Sequence, residues 1–108
     1  MPFYNKLVRD KIPEVIAKTG KSFNTTLLEK DAYIKELKKK CYEELDEYAS
    51  AESDVHAIEE LADLLELMHA LSKVHGADIS EVDRVRQEKA EKRGGFEKRI
   101  FLVNVEDE

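Results

Sequence analysis

An all-α fold is the expectation from this sequence, and three observations lead to it. Charged residues make up 39% of the 108 positions, well above the usual quarter, as in chains with long solvated helices. Only four Gly and two Pro are present, too few to punctuate a turn-rich β fold. Two consecutive stretches in the middle of the chain repeat apolar residues at helical spacing. The hydrophobic share of 42% is enough for a folded core, and the length leaves room for one domain, residues 1–108.

The elements follow in order. The first nine residues, MPFYNKLVR, read as an ordered arm or loop and lack the apolar stretch of a signal peptide. Asp10 is expected to cap a short helix with Pro13 in its first turn, where a missing N–H costs little. Gly20 is suited to end it. Phe23 to Leu28 is short and β-permissive. Asp31 is expected to cap a long helix to about Ala51, and Ser53 or Asp54 to start another to about His75, with Gly76 as its stop. Ser80 with Asp83 resembles a capping box for a fourth helix that reaches about Arg93 before Gly94-Gly95. Arg99 to Val105, RIFLVNV, has the composition of a short terminal strand. It could form a small β pair with Phe23 to Leu28, or pair with another chain.

Projected at roughly 100° per residue, the first long helix gathers Tyr33, Ile34, Leu37, Cys41, Tyr42, Leu45, Tyr48 and Ala49 on one arc. The second has a wider apolar arc, about 240° by the same projection. It holds Ile58, Leu61, Ala62, Leu64, Leu65, Leu67, Met68, Leu71 and Val74. One neighbouring helix cannot cover that arc, which points to a homo-oligomer, a dimer or a tetramer.

Eighteen Lys plus Arg against 24 Asp plus Glu leave a net charge of −6, a poor balance for a general nucleic-acid binder. Cys41 is the single cysteine, so neither an internal disulfide nor a cysteine-built zinc site is available. No run approaches the ~18 apolar residues of a membrane span. A cytoplasmic protein without a membrane partner is the expectation.

The projection also separates the acids. Glu43 and Asp46 fall on the solvent side of the first helix, and Glu59 and Glu66 on that of the second. Glu44 falls between Tyr33 and Leu37, with Glu47 just beyond the arc's edge. Glu60 falls between Leu67 and Leu71, with Asp63 at the margin. Each pair puts two carboxylates on one face, one turn apart. Carboxylates on an apolar face are costly unless paired or bound to a metal, and four of them between two helices could not all stay ionised without a cation. Salt bridges to Lys or Arg of a neighbouring helix are one solution. A hard cation is the other, Mg²⁺ with Mn²⁺ as the alternative, and Mg²⁺ commonly completes its shell with substrate phosphates.

At these residues the chain resembles the all-α nucleotide pyrophosphohydrolase superfamily, which includes MazG-type enzymes, dimeric dUTPases and phosphoribosyl-ATP pyrophosphohydrolases. The family signature is E-x-x-E, a spacer, then E-x-x-D. Here it reads EELDEY followed by EELADLLEL, with twelve residues between Glu47 and Glu60. Two further segments, YNKLVRDKIPEVI and KAEKRGGFEKRIFL, resemble a MazG-like branch of short proteins, so the likeness spans nearly the whole chain.

The resemblance implies a helical bundle assembled by oligomerisation. It matches Glu44, Glu47, Glu60 and Asp63 to Mg²⁺ ligands, with Glu44 and Glu47 also the candidate catalytic carboxylates. The implied reaction is hydrolysis of the α–β phosphoanhydride of a nucleoside triphosphate to monophosphate and pyrophosphate, removing non-standard or surplus nucleotides. Phosphoribosyl-ATP hydrolysis and a non-catalytic nucleotide-binding or dimerisation module are the alternatives. The resemblance also favours Lys89 and Arg93 as phosphate contacts, although the family's K-F-x-x-R form is missing. Asn5, Lys6 and Arg9 form a polar cluster in an arm that could close over the nucleotide. Glu66-x-x-His69 has the spacing of di-iron bundles, but Glu66 projects to solvent and no second such pair exists.

Overall fold

The computed structural model describes residues 3–107. Among them the chain forms α1 (Ile12–Ala17), α2 (Lys30–Ala49), α3 (Asp54–Val74) and α4 (Ile79–Arg93), with no strand. The architecture is all-α.

The centre of the structure is the hairpin of α2 and α3. Residues 50–53 connect them, too few to do anything but return the chain alongside itself. Ser53 sets the start of α3: its Oγ accepts the His56 backbone N–H at 3.2 Å. This serves one of the N–H groups that a helix start leaves unpaired. Leu37 on α2 is the buried apolar side chain, and Tyr33, Ile34 and Cys41 beside it are half-buried. Across from them, Ala57, Leu64, Leu67, Leu71 and Val74 of α3 are half-buried at i, i+3, i+4 and i+7 spacings. That stripe is what α2 covers. Ser72, also buried, donates its hydroxyl to the His69 carbonyl at 2.7 Å.

A second stripe of α3, made by Val55, Ile58, Leu61, Leu65 and Met68, stays exposed. The wide apolar arc of the sequence is therefore half covered within the chain. The radius of gyration is 18.7 Å, against about 13 Å for a compact domain of this length.

Several element boundaries differ from expectation. The β pair does not form: residues 21–29 and 99–105 take no regular secondary structure and build no ladder. An isolated two-stranded ribbon is marginal in water without a face to pack on, and neither segment has one here. Helix α1 starts after Lys11 without a side-chain cap, so Asp10 does not cap it. The N-cap of α2 is Glu29, whose backbone is extended, and Asp31 lies inside the first turn. There its carboxylate still suits the positive end of the helix dipole. Asp78, not Ser80, caps α4, its Oδ1 accepting the Glu81 backbone N–H at 3.2 Å. Ser80 lies within the helix and donates its hydroxyl to Asp78. That bond, then the Glu81 N–H, holds the Asp78 carboxyl below the usual range. Gly76 stops α3 as expected, at φ 73°, a conformation only glycine adopts freely.

No helix among the described residues is long and apolar enough to cross a membrane.

Candidate metal centre

The site is built from the helical repeat. Glu44 lies six residues before the α2 C-cap Ser50, and Glu60 seven residues after the α3 N-cap Ser53. A tight hairpin therefore sets them level with one another. Each belongs to the stripe its helix turns toward the other, so both are half-buried. Glu47 sits one turn nearer the connecting loop and is exposed; Asp63 sits one turn on the other side and is half-buried. With a rise of 1.5 Å per residue, Glu47 and Asp63 are offset by roughly 10 Å along the axes.

The geometry follows that layout. Oxygens of Glu44, Glu47 and Glu60 lie within 4.8 Å of one another. Asp63 is outside the trio; its Oδ1 accepts instead from Arg9 Nη2 at 2.7 Å. Glu44 Oε2 and Glu60 Oε2 are both shielded from solvent without a hydrogen-bond partner. Leaving a buried charged oxygen unpaired is expensive, and two facing carboxylates can bond each other only by sharing a proton.

The electrostatics register this. The Glu44 carboxyl is pushed up to about 8, first by burial, then by its neighbours Glu60, Glu47 and Asp63. The thiol of Cys41, one turn from Glu44, is also pushed up, by burial and then by that carboxylate. An all-oxygen trio with two orphaned acceptors fits a hard divalent cation. Opposite ligands of one Mg²⁺ stand about 4.2 Å apart, so a small side-chain adjustment suffices.

This has a consequence for stability. Between about pH 4.5 and 8 the folded chain keeps a proton on Glu44 that the unfolded chain has released. Stability present below that window is therefore lost as pH rises through it. The melting temperature of the metal-free protein should fall from pH 5 to pH 8, and Glu44→Gln should flatten most of the fall. Parallel thermal melts of both proteins decide it; identical slopes would remove Glu44 as the cause.

Beside the trio, at the loop end of the hairpin, lies an open cleft of about 490 Å³ lined by Glu47, Ser50, Ala51, Glu52, His56, Glu59 and Glu60. Its four carboxylates make it hostile to a bare phosphate and receptive to a cation. Glu43, expected on the solvent side, is half-buried, while Asp46, Glu59 and Glu66 are exposed as expected. Lys89 and Arg93 are exposed on α4 and join no ion pair among the described residues. Asn5 and Lys6 are exposed in the arm, and Asn5 takes φ 46°. The structure thus brings Glu44, Glu47 and Glu60 together, sets Asp63 beside them on Arg9, and ties neither Lys89, Arg93, Asn5 nor Lys6 to the cluster. Sequence reasoning missed the Arg9–Asp63 pair. Fifty-four positions separate the two residues, and no periodicity links them.

Comparison with protein-family models, with curated proteins and with solved structures finds no match for this chain.

Proposed function

We propose that the chain is a Mg²⁺-dependent nucleotide pyrophosphohydrolase, cleaving the α–β phosphoanhydride of a nucleoside triphosphate to monophosphate and pyrophosphate. The observation that carries this reading is the pair of solvent-shielded, partnerless oxygens on Glu44 and Glu60, with Glu47 completing an all-oxygen trio. A protein gains nothing in stability from such an arrangement unless something positive completes it. The resemblance of both acidic motifs and both flanking segments to the MazG-like family supplies the reaction class.

Glu44, Glu47 and Glu60 would hold the cation, Mg²⁺ or Mn²⁺. When bound it would polarise the α-phosphate and neutralise charge that develops in the transition state. Glu44 and Glu60, level on facing helices, fix the position of that charge between rigid elements. Glu47, the most exposed of the three, is placed to orient or deprotonate an attacking water. Lys89 and Arg93, with Asn5, Lys6 and Arg9, are the cations and donors available to the phosphates.

The working unit is a homo-oligomer, a dimer or tetramer. The chain exposes 10351 Å², against about 6,200 Å² for a folded monomer of its mass. The excess includes the exposed apolar stripe of α3 that a second copy would cover.

The test is a panel of NTPs, dNTPs and damaged nucleotides with and without Mg²⁺, with pyrophosphate and phosphate detected separately. Metal-dependent pyrophosphate release is expected, and the ranking identifies the base and sugar. Silence across the panel from folded, metal-bound protein would overturn the nucleoside-triphosphate reading. Phosphoribosyl-ATP would then be the next substrate to test, and a binding module the reading after that.

A further inference from the structure

We infer that the C-terminal segment, residues 96–105, docks on the exposed α3 stripe of a second copy, and that the second copy returns the same contact. This rests on the homo-oligomer proposed above and deepens it by naming the segment that crosses between copies. It does not depend on the chemistry of the acidic site.

Two apolar surfaces of the chain stand uncovered. One is the α3 stripe of Val55, Ile58, Leu61, Leu65 and Met68. The other is the segment after α4, where Phe96, Ile100, Phe101, Leu102, Val103 and Val105 are 72–98% exposed. So dense a run of large apolar side chains goes beyond the scattered apolar positions of an ordinary surface.

The chain does not bring the two surfaces together. From Arg84 to Arg93 every residue but Ala90 is exposed, so the far half of α4 stands clear of the hairpin and carries the segment outward. The molecule measures 65 Å along its longest axis, about twice the length of a helix such as α3 at a rise of ~1.5 Å per residue. A second copy related by a two-fold axis covers both surfaces at once, since each copy supplies what the other lacks.

Charge selects this occupant and its direction. Projected at roughly 100° per residue, Glu59, Glu66 and Lys73 lie along one edge of the stripe, with Lys73 toward the C-terminal end of α3. Lys98 and Arg99 stand ahead of the apolar run of the segment, and Glu106 and Asp107 follow it. All of these side chains are exposed, and none joins an ion pair among the described residues. A segment running parallel to α3 sets its basic start over Glu59 and Glu66 and its acidic end over Lys73.

The lengths agree. Glu59 to Lys73 spans about 21 Å of helix, and Lys98 to Glu106 reaches up to about 26 Å. The apolar run then lies on Ile58 and Leu65. Leu61 and Met68, on the far edge, stay free for helix contact between the copies. On a chain of net charge −6, two copies repel unless basic segments meet acidic ones.

Charge reversal separates a neighbour's segment from the chain's own. One variant carries Lys98→Glu with Arg99→Glu, and the other Glu59→Lys with Glu66→Lys. Each alone opposes like charges at the contact and should assemble more than about 3-fold more weakly, since each surface pair contributes modestly. Refolded together in equal amounts, the two should form mixed assemblies well above the share that random pairing gives, read by native mass spectrometry. In the mixed pair each segment meets an edge of opposite sign. A segment bound to its own chain would gain nothing from mixing.

Carbodiimide coupling, which joins an amine to a nearby carboxylate, reports the placement directly. Wild-type protein is refolded from equal light-nitrogen and heavy-nitrogen copies, with exchange checked by intact mass. Lys98 should then be joined to Glu59 or Glu66 in linked peptides of mixed isotope. Phe101→Ser with Leu102→Ser changes both faces of the segment and should weaken assembly on dilution at least about 10-fold, the effect of one large apolar side chain left unburied.

Links of like isotope only, or mixed assemblies at the random share, would overturn the inference while the homo-oligomer stands. Unchanged dilution behaviour of the Phe101→Ser, Leu102→Ser variant would overturn it equally. A monomeric wild-type protein would overturn the homo-oligomer and this contact together.

Discussion

Glu60→Gln is expected to abolish Mg²⁺-dependent pyrophosphate release while raising the melting temperature of the metal-free protein. The two effects have one cause. Glu60 faces Glu44 across the α2–α3 contact, and each has an oxygen that is shielded from solvent and without a partner. Replacing one carboxylate by an amide removes a like charge and supplies an N–H donor for Glu44, so a contact that otherwise requires a retained proton becomes a hydrogen bond without one. The same change takes a charged donor from the cation. Loss of a group that merely orients a metal ligand costs about 10–100-fold, and loss of a ligand should exceed the upper figure.

A variant that is more stable and inactive is the signature of residues kept for chemistry at the expense of stability. Lower stability with lower activity would point instead to a structural role. Glu59→Gln should hardly matter, because Glu59 points away from α2 and is exposed. It does line the cleft beside the trio, so Glu66→Gln, exposed one turn beyond Asp63, is the stricter control. Turnover retained in Glu60→Gln at the level of either control would end the assignment.

That experiment depends on a feature legible in the sequence. Glu44 and Glu60 stand out because a 100° projection puts them among leucines and tyrosines, and the hairpin half-buries both. Glu43 was misjudged because a projection of one helix cannot say how far its neighbour reaches around it. The spacing of Asp63 matches the motif, but spacing carries no information about a cation delivered from residue 9. The expected caps lie two positions late at both α2 and α4, since Asp and Ser are good caps wherever they occur and backbone geometry chooses among them. The strand reading of Phe23–Leu28 and Arg99–Val105 failed for a different reason. β-propensity describes a residue's fit to a pleated, half-buried surface, and one chain supplies no such surface for either segment.

The surface that a second chain would cover can be tested directly, and Leu65→Glu is the substitution with the largest expected effect on assembly. Leu65 sits in the middle of the exposed α3 stripe, flanked by Ile58, Leu61 and Met68 at helical spacing, each 45–65% exposed. Scattered apolar residues on a surface need no explanation. A continuous stripe on the most apolar helix, where the described residues hold a single buried apolar side chain, is another matter.

Full burial of one leucine contributes about 1.5–3 kcal/mol. Forcing an unpaired carboxylate into the same place costs several more. Four or five such side chains per subunit would supply the core that α2 and α3 alone do not, so assembly and folding should be lost together. Light scattering during gel filtration should find the wild type at two or four times 12.5 kDa and Leu65→Glu either at the monomer mass with reduced helicity or aggregated. Leu27→Glu, at a position 97% exposed in the loop before α2, should leave mass and melting temperature unchanged, which separates the stripe from exposure as such. A wild-type protein that runs as a 12.5 kDa monomer and unfolds cooperatively would show that the hairpin is sufficient on its own, and that the stripe awaits no second copy.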